Sequence, residues 1–322
     1  MAVTQEQATW FAGAFGQLVG NVDKAILGKE HAIRLVVTAM LSGGHVLLED
    51  VPGTGKTVLA KALANTIQGT QSRIQFTPDL LPSDVTGVTI YDQSNGRFEF
   101  HPGPIFASVV LADEINRASP KTQSALLEVM EEGIVTVDGV SHPVGSPFMV
   151  IATQNPIEQA GTYQLPEAQL DRFLIKTSLG YPDHDTTVRL LMESSNRARA
   201  ASVSAIIAAD SVTTMSQLAA DVHTDGAVMG YLSELVSATR NDKDAALGVS
   251  IRGALALARA AKTWAIAAGR TYVTPDDVRE LAVPVLAHRV IVDPEAEFSG
   301  VRAEDIVDRA VATVNPPVNR AA

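Results

Sequence analysis

The stretch Glu49-Asp50-Val51-Pro52-Gly53-Thr54-Gly55-Lys56-Thr57 decides how this chain is read. An apolar run, Val46-Leu47-Leu48, precedes it, and Val58-Leu59-Ala60-Lys61-Ala62-Leu63 follows with helical character. Strand, glycine-rich turn and helix in that order bring backbone N–H groups and a helix N-terminus around one point, which suits an anion. Lys56 adds a mobile charge for β- and γ-phosphates, and the Thr57 hydroxyl offers a coordination position to Mg2+. Pro52, Gly53, Thr54, Gly55, Lys56, Thr57 and Val58 are therefore the expected contacts to a nucleoside triphosphate.

Further along comes Val109-Val110-Leu111-Ala112-Asp113-Glu114, an apolar run that ends in two carboxylates. A buried parallel strand delivering acids to the phosphate loop has this form. Asp113 is expected to hold Mg2+, directly or through water, and Glu114 to orient and deprotonate an attacking water. Hydrolysis needs both, because charge builds on the γ-oxygens while the nucleophile must be aligned.

The chain has 322 residues, enough for a sizeable core and two domains. Its 46% hydrophobic and 19% charged residues describe an ordinary globular protein. With no cysteine, disulfides and thiolate zinc sites are excluded, and a reducing, cytoplasmic setting is expected. The formal charge of −11 argues against bulk electrostatic attraction to nucleic acid or to an anionic membrane. The N-terminus lacks a basic segment followed by an apolar one. The most apolar stretches, 32–48 and 254–268, are broken by Arg34 and by Arg259 and Lys262, so membrane insertion is not expected. The seven histidines are scattered without ligand spacing and read as ordinary surface or core residues.

Residues 5–44 read as helical, with Gly28 as the break before a second helix from Lys29 to Leu41. Strand-like runs recur at Val46–Leu48, Ile74–Phe76, Val109–Leu111, Phe148–Ala152 and Phe173–Thr177, mostly separated by helical stretches such as 121–132. That alternation implies an α/β fold with a mostly parallel sheet. Two hairpins interrupt it, one over 89–100 with Asn95-Gly96 and one over 134–144 with Asp138-Gly139, both strong turn signals. They are candidates for substrate contact or for purely structural flaps. After Tyr181-Pro182-Asp183 the chain reads as helix after helix with no strand pattern. Ser250 is expected to cap a helix with Ala254, Leu257, Ala258, Ala261, Trp264, Ala265 and Ala268 on one face. Another is expected to start at Thr274-Pro275-Asp276-Asp277. The expected division is an α/β nucleotide-binding core over 1–180 and a helical lid over 181–322.

With these residues assembled, the chain resembles an AAA+ ATPase of the MoxR family over nearly its whole length. The specific pieces are Phe76-Thr77-Pro78-Asp79-Leu80-Leu81-Pro82-Ser83-Asp84, Asp113-Glu114-Ile115-Asn116-Arg117-Ala118, Lys121-Thr122-Gln123-Ser124-Ala125-Leu126-Leu127-Glu128 and Ala152-Thr153-Gln154-Asn155-Pro156. The resemblance implies that the phosphate loop is a Walker A motif, that Asp113-Glu114 is Walker B, and that the hairpins are inserts typical of this branch. It implies sensor 1 at Asn155, an arginine finger for a neighbouring subunit at Arg172, and sensor 2 at Arg252. Ile26, Leu27, Gly28 and Lys29 resemble the segment that lines the adenine, and Arg117 is a further candidate for acting across the interface. Simpler readings stand beside these: Asn155 as a turn residue, Arg172 as an ion-pair partner of Asp171, and Arg252 as part of a solvated basic stripe. One departure is Asp50, where the strict loop pattern has glycine; its carboxylate is expected to weaken or tune nucleotide affinity.

The implied function is ATP hydrolysis, with ATP and Mg2+, by a chaperone that forms homo-oligomeric, hexameric rings. Such a protein remodels or matures partner complexes, including metal-cofactor insertion, and works with proteins carrying von Willebrand A domains. Two alternatives remain: a nucleic-acid motor, disfavoured by the acidic charge, and a nucleotide-binding scaffold with little turnover.

Overall fold

The apolar runs form strands because their neighbours bury both faces. In the computed structural model, which describes residues 2–155, 163–192 and 203–317, the chain opens with helices α1 (Gln5–Asp23) and α2 (Glu30–Leu41). There follow β1 (Val46–Glu49), α3 (Lys56–Thr66), β2 (Gln71–Gln75), α4 (Pro82–Thr86), β3 (Gly87–Asp92), β4 (Arg97–Pro102) and β5 (Val109–Asp113). Next come α5 (Pro120–Glu132), β6 (Ile134–Val137), β7 (Val140–Pro143), β8 (Met149–Gln154), α6 (Glu167–Leu170), β9 (Ile175–Thr177) and α7 (His184–Met192). The remainder holds α8 (Ala209–Ala220), α9 (Gly226–Arg240), β10 (Ala245–Leu247), α10 (Ile251–Ala267), α11 (Pro275–Leu286), β11 (Ile291–Val292), α12 (Pro294–Phe298) and α13 (Ala303–Thr313).

Among the described residues the central sheet has the order β2-β5-β8-β1-β9, and every pairing in it is parallel. All five C-terminal ends therefore lie along one edge, where ligands of open α/β sheets bind. The two expected hairpins, β3–β4 and β6–β7, are separate antiparallel pairs outside this sheet. The second turn has positive φ at both Asp138 and Gly139, as a primed turn requires, whereas the first is a four-residue loop over 93–96 with positive φ at Gly96 and not at Asn95. Helix α5 has the boundaries its sequence dictates: Ser119 accepts from the Thr122 N–H, Pro120 occupies the first position, and Gly133 at φ +65° ends it.

Two corrections to the sequence reading concern the helical region. Helix α10 is capped by Ser250 as expected, but it buries Gly253, Ala256, Leu257, Ala260, Ala261, Ala265 and Ile266 and leaves Ala268 exposed. The buried arc is broader and rotated because α1 and α2 pack on one flank of α10 while α8, α9 and α11 pack on others. The second is a small antiparallel pair, β10–β11, too short to leave an alternation in the sequence. One apolar cluster runs without interruption from α1 and α2 through α3 into the helices after residue 203, and a smaller one lies under α4 and α5. The change of character near residue 181 is thus a change along the chain, while the packing of α1 against α10 ties both regions together.

Two buried histidines secure the edge of the sheet opposite the phosphate loop. His45, just before β1, donates from Nε2 to the Met130 carbonyl (2.9 Å) and accepts the Val150 N–H at Nδ1 (3.0 Å). Burial lowers its pKa to about 4, and burial together with the Arg289 charge lowers that of His288 as well. The unfolded chain takes up these protons near pH 6.5 while the folded chain resists until far lower pH, so acid favours unfolding through that window. Stability measured by urea unfolding is expected to fall by about 2 kcal/mol from His45 alone between pH 7 and pH 5. A midpoint insensitive to pH over that interval would contradict the neutral, buried assignment.

Candidate nucleotide site and the opposite end of the sheet

The phosphate loop leaves the buried end of β1 and enters α3 through two glycines whose backbone no other residue adopts easily. Gly53 has φ +88° and Gly55 +99°, and a Cβ on Gly53 would meet nothing within 4 Å, so conformation rather than room demands glycine there. Gly55 turns the chain so that the N–H groups of Lys56, Thr57 and Val58 open α3 without intrahelical partners. The Lys56 ammonium folds back across the loop, donating to the Asp50 carbonyl (3.1 Å) and more weakly to that of Val51 (3.4 Å). Thr54 is buried under the loop, whereas Pro52 and Thr57 face solvent.

Beside the loop, Asp113 ends β5 and Glu114 follows in the left-handed region at φ +57°. Thr153 of β8 fixes both: its hydroxyl donates to Asp113 Oδ1 (2.6 Å) and accepts the Glu114 N–H (2.9 Å). The other Asp113 oxygen takes Arg73 Nη2 at 2.6 Å, while Glu114 Oε2 accepts from Gln75 Nε2 (2.8 Å) and Arg117 Nη1 (2.9 Å). Asn155 lies buried immediately after β8 at the same edge, and Pro156, which closes its motif, falls outside the described residues. Ile26 reaches the loop, its Cδ1 3.4 Å from where a Gly55 Cβ would stand, and a Cβ on Gly28 would stand 3.2 Å from Thr186 Oγ1 of α7. The Ile26–Gly28 segment is thereby held between the phosphate loop and α7, with Leu27 half-buried and Lys29 bonded to the Tyr181 carbonyl (2.7 Å). A carboxylate and a hydroxyl as hard oxygen donors, an ammonium and a row of amides form a donor set that fits a magnesium nucleotide.

Asp50 has partners that its place in the loop motif does not reveal. Its side chain is buried and accepts the N–H groups of Leu179 (2.6 Å) and Gly180 (2.8 Å). The carboxylate thus points into the segment after β9 and tethers it to the loop, and only the Asp50 carbonyl meets Lys56.

The two proposed arginines sit elsewhere. Leu174 donates to the His45 carbonyl (2.8 Å), which places Arg172 at the N-terminal edge of the sheet, together with the end of α5. There Glu131 takes both: Arg172 Nη1 on Oε2 and Arg252 Nη2 on Oε1, each at 3.0 Å. Strands of four to six residues separate this edge from the phosphate loop by roughly 13 Å or more. Arg252 is therefore not poised over the nucleotide of its own subunit, as the sequence reading expected; it shares one carboxylate with Arg172 instead. Asp171, the simpler partner considered for Arg172, is taken by the buried Arg289, whose Nε lies 2.6 Å from Asp171 Oδ1. Arg289 also donates to the Val285 carbonyl within α11 and to the Phe173 carbonyl, the latter linking the helical region to the segment just before β9.

Comparison with known proteins shows the family of the chain. The family described as ATPase family associated with various cellular activities (AAA) matches residues 45–175, and an AAA lid domain matches 237–310. Chaperone MoxR1 of Mycobacterium tuberculosis is 40% identical, over 92% of this chain and 81% of that protein. Protein MoxR of Paracoccus denitrificans is 34% identical over 96% and 97% of the two chains. The chain belongs to the MoxR family of AAA+ ATPases. Another member at 48% identity, YeaC of Bacillus subtilis, is uncharacterised and covers 95% of this chain and 96% of its own. A crystal structure from Cytophaga hutchinsonii, of a protein assigned only provisionally as an ATPase, superposes with a TM-score of 0.90 at 38% identity over 97% and 98% of the two chains. Membership carries nucleotide binding by the AAA+ core and the arrangement of a parallel sheet followed by a helical lid. Among the described residues no helix is long and apolar enough to cross a membrane.

Three residues of this MoxR-family site were not singled out from sequence: Thr153, Gln75 and Arg73. Thr153 stood inside a recognised motif but its strand position gave it no separate role. Gln75 and Arg73 were legible only as polar residues alternating on an otherwise ordinary strand, Ser72-Arg73-Ile74-Gln75-Phe76. For Asp50, replacing one acceptor oxygen by an NH2 group opposes a backbone N–H. Asp50→Asn is thus expected to lower stability by about 1–3 kcal/mol in urea unfolding. An unchanged midpoint would place the Asp50 carboxylate outside the tether.

Proposed function

We propose that this chain hydrolyses ATP at a site completed by a neighbouring copy in a homo-oligomeric ring, hexameric by family resemblance, and uses the cycle as a chaperone. The observation that carries the reading is the joint placement of Lys56, Asp113, Glu114 and Asn155 at one sheet edge, with Arg172 held at the other. Amides of residues 53–58 and the Lys56 ammonium grip the β- and γ-phosphates once Lys56 leaves the loop carbonyls. Ile26, Leu27 and Gly28 line the adenine. Asp113 and Thr57 would hold the magnesium ion, which when bound would neutralise charge on the phosphate oxygens. Glu114 takes the proton of the attacking water as its oxygen bonds the γ-phosphorus and the bond to ADP breaks, while Asn155 orients that water. Arg172, too far from its own loop, is the finger for the neighbour's γ-phosphate, and Arg252 travels with it on Glu131 to the same neighbour. Arg117, on Glu114, belongs to its own subunit's acid pair.

Release of γ-phosphate contacts would be transmitted through the Asp50 tether to the segment after β9, and through Arg289 to the lid. The family resemblance supports a role in remodelling or maturing partner proteins, including metal-cofactor insertion, with von Willebrand A domain proteins among the partners, in the cytoplasm. The groove between the two hairpins, about 590 Å³ and lined by Phe98, Phe100, Val140 and His142, supports client contact at that surface. Against a nucleic-acid motor, Arg97 at the first hairpin tip is paired with Glu99 (2.6 Å). Against a scaffold without turnover, the Asp50 carboxylate that suggested it is turned away from the nucleotide side.

Calorimetry with ATP is expected to register no binding to Lys56→Ala. Glu114→Gln is expected to keep binding while losing about 100-fold or more in turnover. Retained affinity in the first variant, or undiminished hydrolysis in the second, would refute the assignment.

A further inference from the structure

Arg73 pairs with Asp113 but has no step in the hydrolysis proposed above. It stands on β2, the edge strand of the sheet, two residues before Gln75 and therefore on the same face. Its Nη2 lies 2.6 Å from Asp113 Oδ2 and 2.8 Å from Gln75 Oε1. The Gln75 amide, oriented by that bond, donates its Nε2 to Glu114 at 2.8 Å. One guanidinium thus neutralises the metal-binding carboxylate directly and steadies the catalytic carboxylate's partner through a single amide.

The exposures of the two partners differ. The Asp113 side chain is 12% exposed and its second oxygen is held by Thr153, so it stays in place; the Arg73 side chain is 48% exposed and can swing toward solvent. A divalent cation and a guanidinium on the same carboxylate repel one another at that separation, so each weakens the hold of the other.

Resting on the reading of Asp113 as the metal ligand, we propose that Arg73 is a resident counter-ion of Asp113: it competes with magnesium for that carboxylate, and so raises the magnesium that nucleotide binding requires. Its departure also strips Gln75 of the donor that orients it, which loosens Gln75 from Glu114 as the site loads. Asp113 is thereby masked in the nucleotide-free subunit, while Glu114, loosened from Gln75 as the site loads, keeps its bond to Arg117.

The test is a Mg2+ titration of fluorescent ATP-analogue binding, read by anisotropy rather than by hydrolysis. Arg73→Met is expected to lower the half-saturating Mg2+ concentration about three- to tenfold, with affinity for the analogue in EDTA unchanged. Arg73→Lys, which keeps one charge but not the two-partner fork, is expected to fall between wild type and Arg73→Met, and it serves if the latter does not fold. A half-saturation unchanged or raised in these variants, with wild-type binding clearly Mg2+-dependent, would overturn the counter-ion role and leave the hydrolytic reading intact. Wild-type binding indifferent to Mg2+ would overturn both.

Discussion

Thr153 can hold Asp113 and Glu114 together only because β8 lies in parallel register between β5 and β1. Slipping that register by one residue would turn the hydroxyl to the other face of the sheet and release both acids. The same register puts Glu49 and Asp50 beside Gln154, so the phosphate loop starts one strand away from the acid pair. Burial of these strands on both faces, in a run of Val, Leu, Ile and Ala, makes the register costly to change. The nucleotide site is a consequence of the core rather than an addition to it.

A parallel sheet has two chemically different edges, and this chain uses both. The edge with the phosphate loop presents amides, an ammonium and acids. The opposite edge presents Arg172 and Arg252 on a shared Glu131, backed by the Asp171–Arg289 pair and the neutral His45 and His288. Short strand β9 joins the two: Asp50 grips the backbone just after it, and Arg289 grips the backbone just before it. A displacement of the loop therefore has a short, rigid route to the helical lid, through hydrogen bonds to backbone rather than through side-chain packing alone.

Much of this was legible in the sequence, for identifiable reasons. The β1 strand, phosphate loop and α3 carry glycine positions and an apolar pattern that few other arrangements share, and the hairpin turns carry Asn-Gly and Asp-Gly. Asp113-Glu114 at a strand end could be read because the strand is wholly apolar. What escaped was orientation. Nothing local says that the Asp50 carboxylate turns toward residues 179 and 180, since that depends on a contact about 130 positions away. Arg252 looked like a nucleotide sensor from its place at a helix start, yet the packing of α10 against α1 and α2 carries that helix start to the other sheet edge. Arg73 and Gln75 were hidden because a polar residue on an edge strand is ordinarily a solvated one.

On the proposed function, one subunit supplies the acids and another the guanidinium for each hydrolytic event. Its most direct test is to mix subunits carrying Arg172→Ala with subunits carrying Glu114→Gln and measure ATPase activity across mixing ratios. Each alone is expected to be nearly inactive, and mixtures are expected to recover activity with a maximum near equal proportions, because some interfaces then pair an intact Glu114 with an intact Arg172. Activity that never rises above the two parents at any ratio would contradict a site built from two copies.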